Sequence, residues 1–420
     1  MASNPPMVPR GGKLSIEGAA QRYQRNRRSD IAIWWREIDR VLLVLVLILM
    51  AIGTVAVAAS SPASARRLST SKVKLDDLHF FYIHLRWQAV GLAAMLGASM
   101  LSRENARRLG ILLGFAMLVG LMLVPVAGFS VNGARRWLNL GMSLQPSEFL
   151  KPAFAISMAW ILSWRVRDPQ LPVIELCTGL MGMIAILLMA QPDFGSTMLF
   201  GGVWFVMVLM SGISLKRIGM AGGAGLVCVT LAYMFYDNAR HRIDSFLGGG
   251  TAFDQVDLAQ RTLLAGGWTG TGLWLGIRKL GLPEAHTDYI FSVIGEEFGL
   301  IMCAAIVVLY LALVGRVLLR LLDEEDLFTT LAAAGLTAQL GGQAFINILV
   351  NLQLFPSKGM TLPLISYGGS STVAICLGAD HRNCQGFLCR LRDWKGLGSL
   401  QDLLCSKRDL RRSGRTASRY

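Results

Sequence analysis

Charge is what this chain has least of. Only 16% of its 420 residues are Asp, Glu, Lys or Arg, while 53% are apolar. Soluble domains carry roughly 25% charged residues, so a soluble two-domain enzyme is excluded. The seven cysteines form no disulfide framework. Cys177, Cys228 and Cys303 stand singly in apolar blocks, where a thiol is expected to be a small buried hydrophobe. Cys376, Cys384, Cys389 and Cys405 crowd the end, and His381, Cys384 and Cys389 match no zinc spacing. No cleavable signal sequence precedes the first apolar block. No nucleic-acid-binding motif accompanies the basic balance, so no nucleic acid is expected as partner. No internal repeat marks an inverted-repeat transporter.

What is present is apolar length. Val41–Ala59 runs nineteen residues without a charge and Leu109–Phe129 twenty-one, enough to cross a bilayer. Further candidate spans are Trp87–Leu101, Phe149–Trp164, Leu176–Ala190, Gly195–Met210, Ile218–Phe235, Ile290–Leu313 and Leu327–Leu354, with a tenth starting near Ser370. The fold class is therefore all-α, a polytopic membrane protein of about ten helices. The net charge of +14 sits mostly at the ends. Residues 1–40 hold eight Lys/Arg against four acids, and residues 379–420 hold ten against four. The organisation read from this is an N-terminal tail (1–40), a membrane domain (41–378) and an atypical basic tail (379–420). Asp30–Arg40 is expected to be an interfacial helix with Trp34 and Trp35 at headgroup level.

Loop charge sets sidedness. With a cytoplasmic N-terminus, the inner loops carry Arg103/Arg107/Arg108, Arg165/Arg167, Lys216/Arg217 and Arg316/Arg320. The outer loops are then 60–86, 130–148, 191–194, 236–289 and 355–369, the first being basic against the rule. Loop 236–289 is the longest; it is Gly-rich but interleaved with Trp268 and Trp274, as an ordered loop on the membrane surface would be.

Ionisable residues near a membrane are costly and informative. Four outward groups stand out. The first is Asn132-Gly133-Ala134-Arg135-Arg136-Trp137 with Gln145-Pro146-Ser147-Glu148-Phe149-Leu150-Lys151. Pro146 suits a helix start, Ser147 or Glu148 could cap it, and Glu148 and Lys151 share a face. This group reads either as an interfacial ion pair or as an anion site. The second is Gln191-Pro192-Asp193-Phe194-Gly195-Ser196, in which Asp193 could simply cap a helix. The third joins His286-Thr287-Asp288 to Gly295-Glu296-Glu297. A partly desolvated carboxylate there suits a general base, or caps a helix with an ordinary salt bridge. The fourth runs from Ser357-Lys358 through Ser366-Tyr367 to Ser371; its Pro and Gly content implies broken helix lining a cavity. Asn347 and Asn351 put two amides on one helix face before it. Together the groups suit a substrate with a phosphate-bearing headgroup and a lipid tail.

In order and position, NGARRWL, LQPSEFLKP, QPDFGS, PEAHTDYIF, GEEFG and KGMTLPLISYGGSS resemble the SEDS (shape, elongation, division and sporulation) family. The match covers roughly residues 35–378 and is nearer the FtsW-type division branch than the RodA-type elongation branch. The resemblance implies ten spans in the bacterial inner membrane, at the division septum, and a peptidoglycan glycosyltransferase polymerising lipid II. It also implies a class B penicillin-binding protein (an FtsI-type transpeptidase) and other divisome proteins as partners. Asp288 matches the family's essential aspartate, and Arg136, Lys151 and Lys358 match conserved cations. Glu148, Asp193, His286, Glu296 and Ser366 complete the candidate substrate-binding set. Inverting displacement needs one base and no covalent intermediate. Asp288 is the expected base, with the cations on the leaving pyrophosphate. No cofactor is firmly implied; a divalent cation (Mg or Mn) could share the pyrophosphate, although Asp193, Glu148 and Glu296 define no ligand set.

The chain departs from the family after Gly378, where Asp380-His381-Arg382-Asn383 interrupts the last span. A frameshifted end and a divergent one both fit. Two other function classes remain open from the residues alone: a lipid-linked oligosaccharide flippase and a non-catalytic scaffold.

Overall fold

The computed structural model describes residues 34–35 and 38–379, except 71–72, 132–133, 140, 142, 167, 169, 213–214, 250–254 and 357–358. The expected basic tail beyond 379, most of the N-terminal tail and Lys358 lie outside the described residues. Of the expected interfacial helix, Trp34 and Trp35 are helical, and Trp35 is half exposed.

Among the described residues, nine helices of 17 to 32 residues carry the fold. They are α1 (Arg40–Leu68), α2 (His79–Ser99), α3 (Arg103–Ala127), α4 (Pro146–Ser163), α5 (Val173–Ala190), α6 (Phe194–Met210), α7 (Leu215–Phe235), α10 (Ile290–Leu321) and α11 (Leu327–Asn351). Shorter α8 (Asp237–Asp244) and α9 (Gln255–Ala265) lie between α7 and α10, and α12 is Gly369–Ala379. A three-stranded antiparallel sheet, β1 (Phe129–Val131), β2 (Ala134–Asn139) and β3 (Ser143–Leu144), bridges α3 and α4. Five helices, α1, α3, α5, α10 and α11, are long and apolar enough to cross a membrane by length and composition. α12 is too short on its own, at 11 residues against the roughly 20 a span needs.

Several helices start where a side chain accepts from the free amides. Asp39 accepts from Val41 and Leu42 at the start of α1, Ser102 from Asn105 at α3, and Asp326 from Thr329 at α11. Pro146 opens α4 at its first helical position. The expected capping by Ser147 or Glu148 is not seen: α4 has no side-chain cap, because Glu148 turns instead to Lys151. α4, α5, α6 and α11 enclose an apolar core in which Phe154 and Phe200 meet edge to face at 5.1 Å. Cys177 and Cys303 are buried as expected; Cys228 is exposed, since its stretch of α7 faces outward.

A further expectation changes. The segment 60–86 is not one loop, because α1 continues through Pro62 to Leu68 and α2 begins at His79. Ser60, Ser61 and Ser64 are buried, and their hydroxyls bond to Val57 O, Asp77 O and the His286 ring. A proline inside a helix costs roughly 3 kcal/mol, partly because the carbonyl four residues back loses its donor. Here that carbonyl, Ala58 O, accepts from the Trp274 indole at 3.1 Å, and Ala59 O accepts from Lys279 Nζ at 2.9 Å.

Those donors come from the segment 266–281 of the long loop 236–289. It also seals a break in α10 at Gly299, whose φ of 81° and ψ of 173° leave the helical region. Leu300 N and Ile301 N bond to Gly267 O and Trp268 O, while Thr271 N and Gly272 N bond to Glu296 O and Glu297 O. A Cβ at Gly299 would lie 2.3 Å from Trp268 O, so both backbone angle and space require glycine.

Candidate active site

The sheet and the helix ends around it close on a cavity of about 790 Å³. Its wall takes Ser64 and Arg67 from α1, Trp87 from α2, Arg136 from β2, Glu148 from α4, Arg242 from α8, the segment 282–289, and residues 359–361 and 367–371.

Asp288 lies on this wall just before α10, half-buried. It does not cap the helix: Tyr289 is the N-cap and contributes no side-chain bond. Among the described residues it makes no ion pair. Burial, with the Glu284 charge adding to it, pushes its carboxyl up to about 7; Arg136 and Arg242 oppose the rise without cancelling it. Its main chain is held rigidly. Asn347 and Asn351 both donate to Asp288 O, at 2.8 and 3.2 Å, and Asn347 also donates to Met360 O at 2.6 Å. Asn351 Oδ1 in turn accepts from Ser292 N and Ser292 Oγ. Gln343, one turn earlier on α11, donates to Thr361 O at 2.9 Å. One amide stripe thus fixes two stretches of the wall, and Gln343 is the member the sequence reading missed.

The other anticipated residues fall into three groups. Arg136 and Glu148 face the cavity with Asp288. The Arg136 guanidinium donates to Gln191 O at 3.3 Å and to Pro192 O, and lies 3.9 Å from Asp193. Lys151 is buried behind Glu148, 2.6 Å from its Oε1 and 3.3 Å from Gln343 Oε1, leaving Glu148 Oε2 buried without a partner among the described residues.

Ser366 and Asp193 hold backbone, and His286 holds a helix side chain. His286 Nδ1 is 2.8 Å from Ser64 Oγ, and burial lowers its pKa to about 4, so the ring is neutral. Ser366 Oγ donates to Thr287 O at 2.6 Å and accepts from Leu362 N. Asp193 caps α6 through Ser196 N and Ser196 Oγ.

Glu296 is not brought to the cavity. Its carboxylate accepts from Arg278 N at 2.7 Å and Lys279 N at 2.9 Å, while neighbouring Glu297 pairs with Lys279 Nζ. Lys358 lies outside the described residues. Sequence reading also missed Ser64, Arg67 and Arg242; the first two sit in the stretch expected to be loop, whose Ser and Pro content gave no helical signal.

Among the described residues no group of three or more His, Cys, Asp or Glu side chains converges to hold a metal ion. What the cavity offers is a carboxylate of raised pKa on a fixed backbone, the cations Arg67, Arg136 and Arg242 in the same lining, and room for a large polar headgroup.

The chain is 35% identical to the probable peptidoglycan glycosyltransferase FtsW of Caulobacter vibrioides over 86% of this chain and 92% of that one. It is equally identical to the protein of that name from Alkalilimnicola ehrlichii, over 81% and 86%. Among solved structures it resembles a chain of a peptidoglycan synthase complex that coordinates polymerisation and crosslinking, with a TM-score of 0.65, 28% identity, and coverage of 81% of this chain and 95% of that one. It also resembles the rod shape determining protein RodA of Thermus thermophilus, with a TM-score of 0.57, 27% identity, and coverage of 81% and 94%. Residues 39–380 match the FtsW/RodA/SpoVE family of cell cycle proteins, and the chain belongs to that family.

Proposed function

We infer that the chain is a peptidoglycan glycosyltransferase that joins lipid II units into glycan strands, with Asp288 as the general base. The observation that carries this reading is a carboxylate with a raised pKa, held by two amides on its own carbonyl, in a headgroup-sized cavity that Arg136 and Arg242 also line. A group that titrates near neutrality can accept a proton and release it again at working pH.

The reaction is a single displacement. The sugar 4-hydroxyl oxygen bonds to the anomeric carbon of the donor, the bond from that carbon to the lipid pyrophosphate breaks, and the hydroxyl proton passes to Asp288. Inversion needs no enzyme-bound intermediate. Arg136 is placed to stabilise charge growing on the pyrophosphate, because its hydrogen bonds to two carbonyls fix it in advance. Lys151 and Glu148 serve as a buried pair at the cavity margin, with Glu148 Oε2 available to a sugar hydroxyl or amide. Lys358 is assigned the same anionic group. A divalent cation would find no converging ligand set among the described residues, so no step is routed through one.

A class B penicillin-binding protein supplies the crosslinking step in this reading, in keeping with the synthase complex that the chain resembles. The cavity faces away from the cytoplasm, the N-terminus toward it, and the site of action is the septum. The test is lipid II polymerisation by the purified chain with its transpeptidase. Asp288→Asn is expected to reduce polymer formation at least 100-fold with the melting profile unchanged. Retained polymerisation would remove Asp288 from the role, and a parent protein that moves lipid II without making glycan would favour a flippase.

A further inference from the structure

The segment 266–281 carries large apolar side chains that nothing in the fold covers: Trp268 is 74% exposed, Trp274 54%, Leu275 68% and Ile277 76%. Where these sit relative to the bilayer can be read along two packed helices, both measured from one charged cluster. Asp39, 2% exposed at its side chain, binds Arg316 at 3.1 Å and Arg320 at 2.7 Å, and so ties the start of α1 to the end of α10. Charges of this kind mark one face of a membrane domain.

The first ruler is α1. Trp274 donates to Ala58 O, and the helix from Asp39 to Ala58 rises about 29 Å at 1.5 Å per residue. The second ruler is α10. Trp268 O accepts from Ile301 N, and the unbroken helix from Ile301 to Arg316 and Arg320 covers about 23 to 29 Å. Both lengths match the ~30 Å hydrocarbon thickness. Ile301 itself is 60% exposed, so the loop's apolar surface continues a lipid-facing one.

We propose that the segment 266–277 is a membrane anchor, with Trp268, Trp274, Leu275 and Ile277 inserted in phospholipid at the boundary between headgroups and acyl chains on the side opposite Asp39. Indole rings favour that depth because one edge is apolar and the other donates a hydrogen bond. The occupant is lipid, not a protein, because the rulers place the residues at the level where a bilayer surrounds the domain on every uncovered side. The anchor has a consequence for the cavity. Ser64, which holds His286, lies six residues beyond Ala58 along α1, so the Asp288 segment sits about 9 Å above the anchor, at the level of phosphate groups. The depth assignment rests on the membrane fold and stands whether or not the chain transfers glycosyl groups.

The test is tryptophan quenching in vesicles of phosphatidylcholine brominated near the top or near the end of the acyl chains. The parent is compared with Trp268→Phe and Trp274→Phe, so that differences isolate the two rings among the ten tryptophans. Each difference signal is expected to be quenched at least twofold more by bromine near the top of the chain than near its end, and little by iodide in the water. Iodide quenching with no lipid quenching would overturn the proposal by placing the loop in water. Absence of quenching by all three would mean that protein covers it, and stronger quenching from chain-end bromine would place it too deep; either result also overturns it. Circular dichroism of the conservative Phe variants separates a changed depth from a lost fold.

Discussion

Two carboxylate motifs lie within ten residues of each other and have opposite fates. Asp288 faces a cavity with its side chain unpaired among the described residues and its pKa raised to about 7. Glu296 and Glu297 are more deeply buried, yet protein groups satisfy them: two backbone amides hold Glu296, while Lys279 and the Trp274 amide hold Glu297. Burial alone therefore does not mark a reactive group. What separates the two is satisfaction: a carboxylate whose lone pairs are filled becomes structure, and one left with open valence toward a cavity is available for chemistry.

That contrast can be broken from either side. The largest effect is expected from the structural pair. Removing one partner of a buried ion pair typically costs 3–5 kcal/mol, because the other charge is stranded. Glu297→Gln and Lys279→Met are each expected to lower thermal stability by that order, as measured by a shift in the melting temperature of the detergent-solubilised protein. The double variant is expected to recover part of the loss; a fully additive double variant would show that the pair does not act as one unit.

The reactive side is sharpened by pH. A base works only when deprotonated, and Asp288 is protonated below its raised pKa. Initial polymerisation rates are therefore expected to climb tenfold per pH unit up to a midpoint near 7 and then level off. At pH 5 that is a loss of about 100-fold, and a midpoint near 4 would show that burial does not act on this group as described.

The smallest effect concerns the amides that hold the base. Asn347→Ala removes one of two donors to Asp288 O, and a lost hydrogen bond of this kind is worth about 1–2 kcal/mol. The expected result is a roughly tenfold lower kcat with KM little changed. Asn347→Gln should not recover it, since a longer side chain misplaces the donor.

Much of the fold was legible because bilayer thickness imposes a length on the sequence. Each expected span from Val41–Ala59 to Leu327–Leu354 corresponds to a helix, although the ends differ. The extension of α1 was not legible. Ser60-Ser61-Pro62-Ala63-Ser64 has the composition of a loop, and what makes it helix is a set of donors and acceptors over 200 residues away, together with Asp77 O nearby. The fate of Glu296 was hidden for the same reason. From sequence, Glu296 and Asp288 are two acids on either side of a helix start, and only the returning backbone of Arg278 and Lys279 tells them apart. Arg136, Glu148 and Asp288 were found because cations and carboxylates clustered at the same ends of spans.

The bonds at Pro62 also set an order of events. Ala58 O and Ala59 O receive their loop donors from residues 216 and 220 positions later in the chain. During synthesis, α1 enters the membrane long before Trp274 and Lys279 exist. Until they arrive, the carbonyl freed by Pro62 has no partner within α1, in surroundings that leave such a group expensive. The hydrogen bonds around Pro62 are completed only when the loop before α10 has been made. An amino-terminal fragment ending before Trp274 lacks the donors for them.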